Sequence, residues 1–153
     1  MTTAEKRELR ELVERYAQAV DRADAAAVAA LFTDDGVLEL WMDPAVDAPT
    51  GERRGRAAIA AALGSLTQYD ATHHAISSHV SQVHGIHATG ETLCTAHHVH
   101  RTSGRHSDRV HYIRYLDTYA RPGADWLFAK REVRVQWTSV LPVEGTARAS
   151  GLA

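Results

Sequence analysis

ATHHAISSHVSQVH (71–84), ETLCTAHHVHR (91–101), DRVHYIRYLDTYAR (108–121) and WLFAKREVRVQWTSV (126–140) are the stretches whose reading decides the fold. Each alternates between two sets of side chains, the period expected of a β-strand with unlike faces. The breaks between them are short and carry Gly85 and Gly90, Gly104, and Pro122-Gly123. Short links between successive strands imply an antiparallel meander.

Upstream the period changes. From Thr3 to Ala23, the residues Leu9, Leu12, Val13, Tyr16, Ala17 and Val20 recur at helical spacing, with Thr2 or Thr3 as the cap. Asp24 caps a second helix from Ala25 to Phe32. Thr33-Asp34-Asp35-Gly36 reads as a turn, Val37 to Trp41 as a strand, Asp43 to Gly51 as a loop, and Gly55 to Leu66 as an alanine-rich helix. Helices segregated from a meander make an α+β fold, and strands this long must twist and curl. The expectation is a cone-shaped α+β barrel: a curved, mostly antiparallel sheet whose N-terminal helices close one pocket. It occupies residues 1–141 as one domain, with 142–153 as a flexible tail.

Composition narrows the function classes. A formal net charge of -2 supplies no field for nucleic acid or an anionic membrane, and neither partner is expected. No apolar run approaches the roughly 20 residues of a membrane helix, and no leader pattern opens the sequence. The one cysteine, Cys94, has no partner for an internal disulfide, so a cytoplasmic location is expected. The ten histidines cluster between His73 and His111, which asks for an explanation.

Strand parity sorts them. His74 goes with Ile76, Ser78 and Val80, and His73 with Ala75, Ser77 and His79. If Ile76 and Val80 face the interior, His74 does too. Asp21 lies at the edge of the first helix's apolar face, near a C-terminus whose dipole disfavours an anion unless it finds a partner. His98 and His100 share a face with Cys94 and Ala96. Together with His74 or His111 they could present three imidazoles to a metal, although HxH spacing is common by chance. Arg131, in phase with Val133 and Val135, must be paired if it faces an apolar interior. It is either a stabiliser of developing negative charge or a structural partner of Asp21 or Asp117. Tyr16 either offers its hydroxyl to the cavity or packs in the core.

The order of these pieces resembles the SnoaL-like branch of the nuclear transport factor 2-like superfamily. The likeness rests on Tyr16 to Asp24, Leu31 to Gly36, Gly55 to Ile59, Thr72-His73-His74, Tyr115 to Tyr119, Trp126, Arg131 and Trp137. Within that branch the chain is similar to scytalone dehydratase and hexachlorocyclohexane dehydrochlorinase, which are trimers that eliminate a small group with an Asp–His pair in the cone. The resemblance implies that Asp21 and His74 are that pair. It places an arginine of the dehydrochlorinases at Arg131 and a second pocket histidine at His98, and favours His111, Ile113 and Tyr115 inside. The dehydrochlorinases' helix lysine has no counterpart, since Tyr16 stands there. The activity so implied is that of a lyase or isomerase, dehydratase- or cyclase-like, for a hydrophobic oxygen-bearing molecule such as a polyketide. Asp21, His74 and Arg131 are its catalytic candidates; Tyr16, His98, His111 and Tyr115 would bind substrate. Metal and cofactor are expected to be absent. A homo-oligomer is expected, trimer before dimer, through an outer face that includes Val99, Val110, Tyr112, Leu116 and Trp137. The alternative is a non-catalytic binding or accessory protein of the same fold.

Overall fold

The computed structural model describes residues 2–144. Helix α1 (Thr3–Asp21) begins with a reciprocal cap: the Glu5 N–H donates to Thr2 Oγ1 at 3.1 Å, and the Thr2 N–H donates to Glu5 Oε2 at 2.7 Å. It stops at Asp21 because Ala23 adopts a left-handed conformation (φ 53°), which closes the helix and releases the chain toward α2. Helix α2 (Ala25–Ala30) is capped by Asp24, whose Oδ1 accepts from the Ala27 N–H at 2.9 Å.

Strand β1 (Phe32–Trp41) swallows the expected turn. Register slips between Phe32 and Val37, so Thr33 to Gly36 form an irregularity inside the strand. A side chain on Gly36 would approach the Phe32 Cβ to 2.9 Å and the Thr33 carbonyl to 3.0 Å, so the crossing needs glycine. β2 (Gly51–Arg54) pairs antiparallel with β1, between the loop and the helix that the sequence suggests. Its charged residues suit an edge strand that should not recruit another chain. The expected helix 55–66 is shorter, α3 (Arg56–Ala62), and continues as a 3-10 turn, Leu63–Gln68. Gly64 is a weak helix former, while the Ser65 and Thr67 hydroxyls bond back to the Ala62 and Gly64 carbonyls.

The meander comes next: β3 (Ala71–His84), β4 (His87–Thr102), β5 (Arg105–Ala120) and β6 (Leu127–Val143). The sheet runs β2-β1-β6-β5-β4-β3, and only β1 and β6 lie parallel. It curves but does not close into a barrel: β2 and β3 are its edges, and α1 packs against β3. β6 carries Pro142 and Val143 within the ladder, and residues 145–153 of the expected tail lie outside the described residues. No described helix is long and apolar enough to cross a membrane.

One irregularity corrects the parity argument. β3 shifts register between Ile76 and His79, so the alternation reverses there. Ile76 packs against the core as expected, but Val80 is 68% exposed, and His79 turns inward to bond Thr92 Oγ1 at 2.8 Å. On the outer face Tyr112 and Trp137 stack at 4.4 Å, while Val110 is buried and Leu116 half-buried.

The core joins one side of α1 to β1, β5 and β6 through Tyr16, Phe32, Phe128 and Tyr119. Tyr119 lies across Gly90 and needs its bare backbone: a Cβ there would lie 2.9 Å from the Tyr119 ring and hydroxyl and 3.2 Å from His79. Gly90→Ala is therefore expected to cost about 1–3 kcal/mol through overpacking, measured by denaturant unfolding. Unchanged stability would mean that the ring is free to move aside.

Candidate active site

Three adjacent elements bring the candidate residues together. Asp21 closes α1, and β3 passes beside it with Thr72 and His74 on one face. Asp21 Oδ1 accepts from His74 Nδ1 at 2.7 Å and from the Thr72 hydroxyl at 3.1 Å, while Oδ2 accepts from the His74 backbone N–H at 2.9 Å. Burial alone would raise the Asp21 carboxyl, but the bonds from His74 and Thr72 outweigh it and hold the group below the usual carboxylate range. An ionised carboxylate only accepts hydrogen bonds. In the neutral ring the His74 proton therefore sits on Nδ1, and Nε2 carries the lone pair.

His74 lines a half-open cavity of about 210 Å³. That is smaller than the roughly 300 Å³ typical of ligand sites at their lower end, but it is about seven times a liquid water's share of about 30 Å³. Four larger depressions, of about 570, 440, 370 and 320 Å³, are lined by neither His98 nor His111. The second of these reaches Asp21 and His74 from outside, beside Arg10, Glu14 and Arg22. The smaller cavity is the candidate site because it gathers the imidazoles among apolar side chains.

Its wall holds Tyr16, His98, His111 and Tyr115 together with His74. The three imidazoles lie in a row: His74 to His98 at 5.5 Å, then His98 to His111 at 5.2 Å. β5 thus turns His111, Ile113 and Tyr115 inward, as the resemblance favoured. Burial, reinforced by His74 and His111, pushes His98 down to about 4, and burial also lowers His111. The phenols of Tyr16 and Tyr115 are raised by burial, so both remain hydroxyl donors near neutrality. His111 Nδ1 is 2.8 Å from Thr138 Oγ1. Cys94 is buried and its thiol is pushed up to about 11, which leaves it protonated and a poor nucleophile. Among the described residues no three His, Cys, Asp or Glu groups converge as a metal site.

The depressed His98 has a consequence for stability. Its ordinary value is 6.5 and its folded value about 4, so between these the unfolded chain binds more protons. Stability is complete above the upper value and is lost as pH falls through this window. Thermal unfolding between pH 7 and pH 4 should show the loss, and His98→Gln should flatten that part of the profile. An identical profile in the variant would contradict it.

Arg131 stands apart from the cavity. Its Nε and one terminal nitrogen each donate to Asp117 at 2.8 Å, and both side chains are fully buried. The guanidinium lies 4.1–4.2 Å from the ring centres of Tyr16, Tyr115 and Phe128, and Tyr119 donates to the same carboxylate at 2.9 Å. The candidate catalytic role for Arg131 finds no support in this geometry, because those rings wall it off from the cavity. The other sequence reading, a structural partner of Asp117, is the one it satisfies.

Sequence reasoning misses part of the site. Tyr69, at the end of the 3-10 turn, packs on His98 at 4.9 Å, and Leu63 and Leu66 roof the cavity with Met42. Thr72 stands out in the sequence only as part of a motif. Its position two residues before His74, on the same strand face, is the signal that could have found it.

The model of the SnoaL-like domain matches residues 1–132. The chain belongs to the SnoaL-like domain family. Among solved structures, this SnoaL-like chain resembles a putative scytalone dehydratase from Novosphingobium aromaticivorans, at 26% identity and a TM-score of 0.75, over 96% of this chain and 91% of that one. An NTF2-like protein with a cystatin-like fold from the same species is 28% identical, with a TM-score of 0.68 over 87% of this chain and 83% of that one. A hexachlorocyclohexane dehydrochlorinase from Novosphingobium barchaimii shares the fold at 14% identity, with a TM-score of 0.75 over 94% and 92% of the two chains. No curated protein matches significantly.

Proposed function

We propose that this SnoaL-like protein is a small-molecule lyase or isomerase in which His74, oriented by Asp21, moves a proton inside the cavity. The observation that carries this reading is the 2.7 Å contact between Asp21 Oδ1 and His74 Nδ1, with the ring at the cavity wall. Nε2 accepts a proton from carbon beside an oxygen-bearing centre, and Asp21 steadies the imidazolium that forms. In a dehydration the C–H electrons become a C=C bond, the C–O bond breaks, and the departing hydroxide takes the proton back from His74 as water. In an isomerisation the proton returns to another carbon of the same molecule.

The cavity restricts the substrate. None of its lining residues is Lys, Arg, Asp or Glu, and His98 stays neutral at pH 7. A neutral, largely apolar molecule with hydroxyl or carbonyl oxygens fits, and the phenols of Tyr16 and Tyr115 can donate to those oxygens. The chain's likeness to a putative scytalone dehydratase and a dehydrochlorinase supports elimination as the reaction class.

One observation favours a second reading, a binding protein without turnover. With Arg131 sealed against Asp117, the cavity holds no fixed cation to offset a developing oxyanion. A panel of neutral hydroxy-ketones, assayed by mass spectrometry for water loss or isomerisation, separates the two. Conversion by the native protein and not by His74→Ala supports catalysis; tight binding across the panel with no conversion supports the second reading.

A further inference from the structure

The Asp21 carboxylate takes three hydrogen bonds from a three-residue stretch of β3, and only two of them come from His74. The third is the Thr72 hydroxyl, which shares Oδ1 with the His74 ring. Thr72 and His74 are two residues apart on one strand, so their side chains leave the same face and reach the same carboxylate from either side. Asp21 meanwhile sits at the C-terminal end of α1, where the helix's own dipole repels a negative charge. It is partly open to the outer groove, where Arg10, Glu14 and Arg22 lie. An acid so placed has reason to swing outward or to take up a proton.

We propose that Thr72 is a positioning residue for the Asp21–His74 pair: its hydroxyl is the second donor that fixes Oδ1 against the His74 ring. The inference rests on the acid–base reading of that pair. The direction of the Asp21 shift agrees, since the Thr72 bond is among the causes that lower it. Without the hydroxyl, Oδ1 keeps the His74 ring as its donor but loses the second bond that fixes its direction, and the carboxylate is held on one side only. The other groups facing the pair are Arg10, Glu14 and Arg22 across the groove, His73 beside it, and His98 and His111 from the cavity wall. They are unchanged by a substitution at Thr72, so a shift reads the hydroxyl.

The test is the near-isosteric Thr72→Val against Thr72→Ser in the full chain, following the Asp21 carboxyl carbon by NMR titration, with Asp21→Asn to assign the signal. Thr72→Val should move that titration up by about one pH unit, a tenfold change in proton affinity, and Thr72→Ser should restore it. With a substrate in hand, kcat should fall about tenfold in the valine variant with KM little changed, and recover in the serine variant. A carboxyl that titrates alike in native and valine proteins overturns the proposal, as does a serine variant that behaves like valine. If Thr72→Val does not fold, Thr72→Ala removes the same hydroxyl and is read the same way. Failure of the pair itself looks different: Asp21→Asn and His74→Ala would keep full turnover, whatever the carboxyl titration reports.

Discussion

Replacing His74 by alanine is expected to lower turnover by about a hundredfold to ten-thousandfold, the range that a positioned general base supplies. The ring is the one imidazole in the cavity whose Nδ1 is tied to a carboxylate, and so the one whose Nε2 lone pair is directed by a fixed partner. Asp21→Asn should be nearly as damaging. An amide in place of Oδ1 can present a donor to Nδ1, which would turn the ring to the other tautomer and put a proton where the substrate's hydrogen must go. Both variants leave the rest of the cavity wall in place, so KM should change less than kcat. Native-like turnover in both, with folding confirmed by thermal unfolding, would remove the pair from the mechanism.

Arg131→Met is expected to cost about 3–5 kcal/mol, because it leaves the Asp117 carboxylate buried with the Tyr119 hydroxyl as its remaining side-chain partner. In a chain of 153 residues that corresponds to a fall of about 10 °C or more in Tm. The pair itself need not stabilise the fold; what is costly is half of it. Arg131→Met combined with Asp117→Leu should therefore recover much of the loss, a coupling that calorimetry on the four proteins measures directly. A stable single variant with impaired turnover would instead return Arg131 to the catalytic group. The aromatic cage ties this pair to the cavity, since Tyr16 and Tyr115 wall the guanidinium on one side and line the cavity on the other.

Much of this arrangement is legible in the chain. The period of two in the four long strands, with their short glycine-bearing links, specifies a meander, and β3 begins and ends where the alternation does. Parity assigns His74 inward correctly because the register shift in β3 falls after Ile76. The same argument fails at Val80, on the far side of that shift, since an extra residue in a strand reverses every later side chain. β2 is invisible because Gly51-Glu52-Arg53-Arg54 has no apolar alternation, and pairing with β1 is what makes it a strand. The end of α3 is misplaced because Gly64 and two hydroxyl residues turn the chain into a tighter helix, which swings Leu63 and Leu66 over the cavity.

Pairings across the fold are harder. A buried Arg131 needs a partner, but Asp117 lies opposite it only through the register of β5 on β6. Thr72 and Asp21 are 51 residues apart, and no local pattern connects them. The three-histidine wall likewise comes from β3, β4 and β5 lying side by side, so the histidine cluster in the sequence is explained by topology and not by spacing.

The central claim is that Asp21 holds the His74 ring as a base facing the cavity, and nitrogen-resolved NMR of the His74 ring in the ligand-free protein tests it most directly. The account predicts a proton on Nδ1, hydrogen-bonded to Asp21, with Nε2 bare in the neutral ring, and loss of that signature in Asp21→Asn. A neutral ring protonated on Nε2, unaltered by Asp21→Asn, would contradict it.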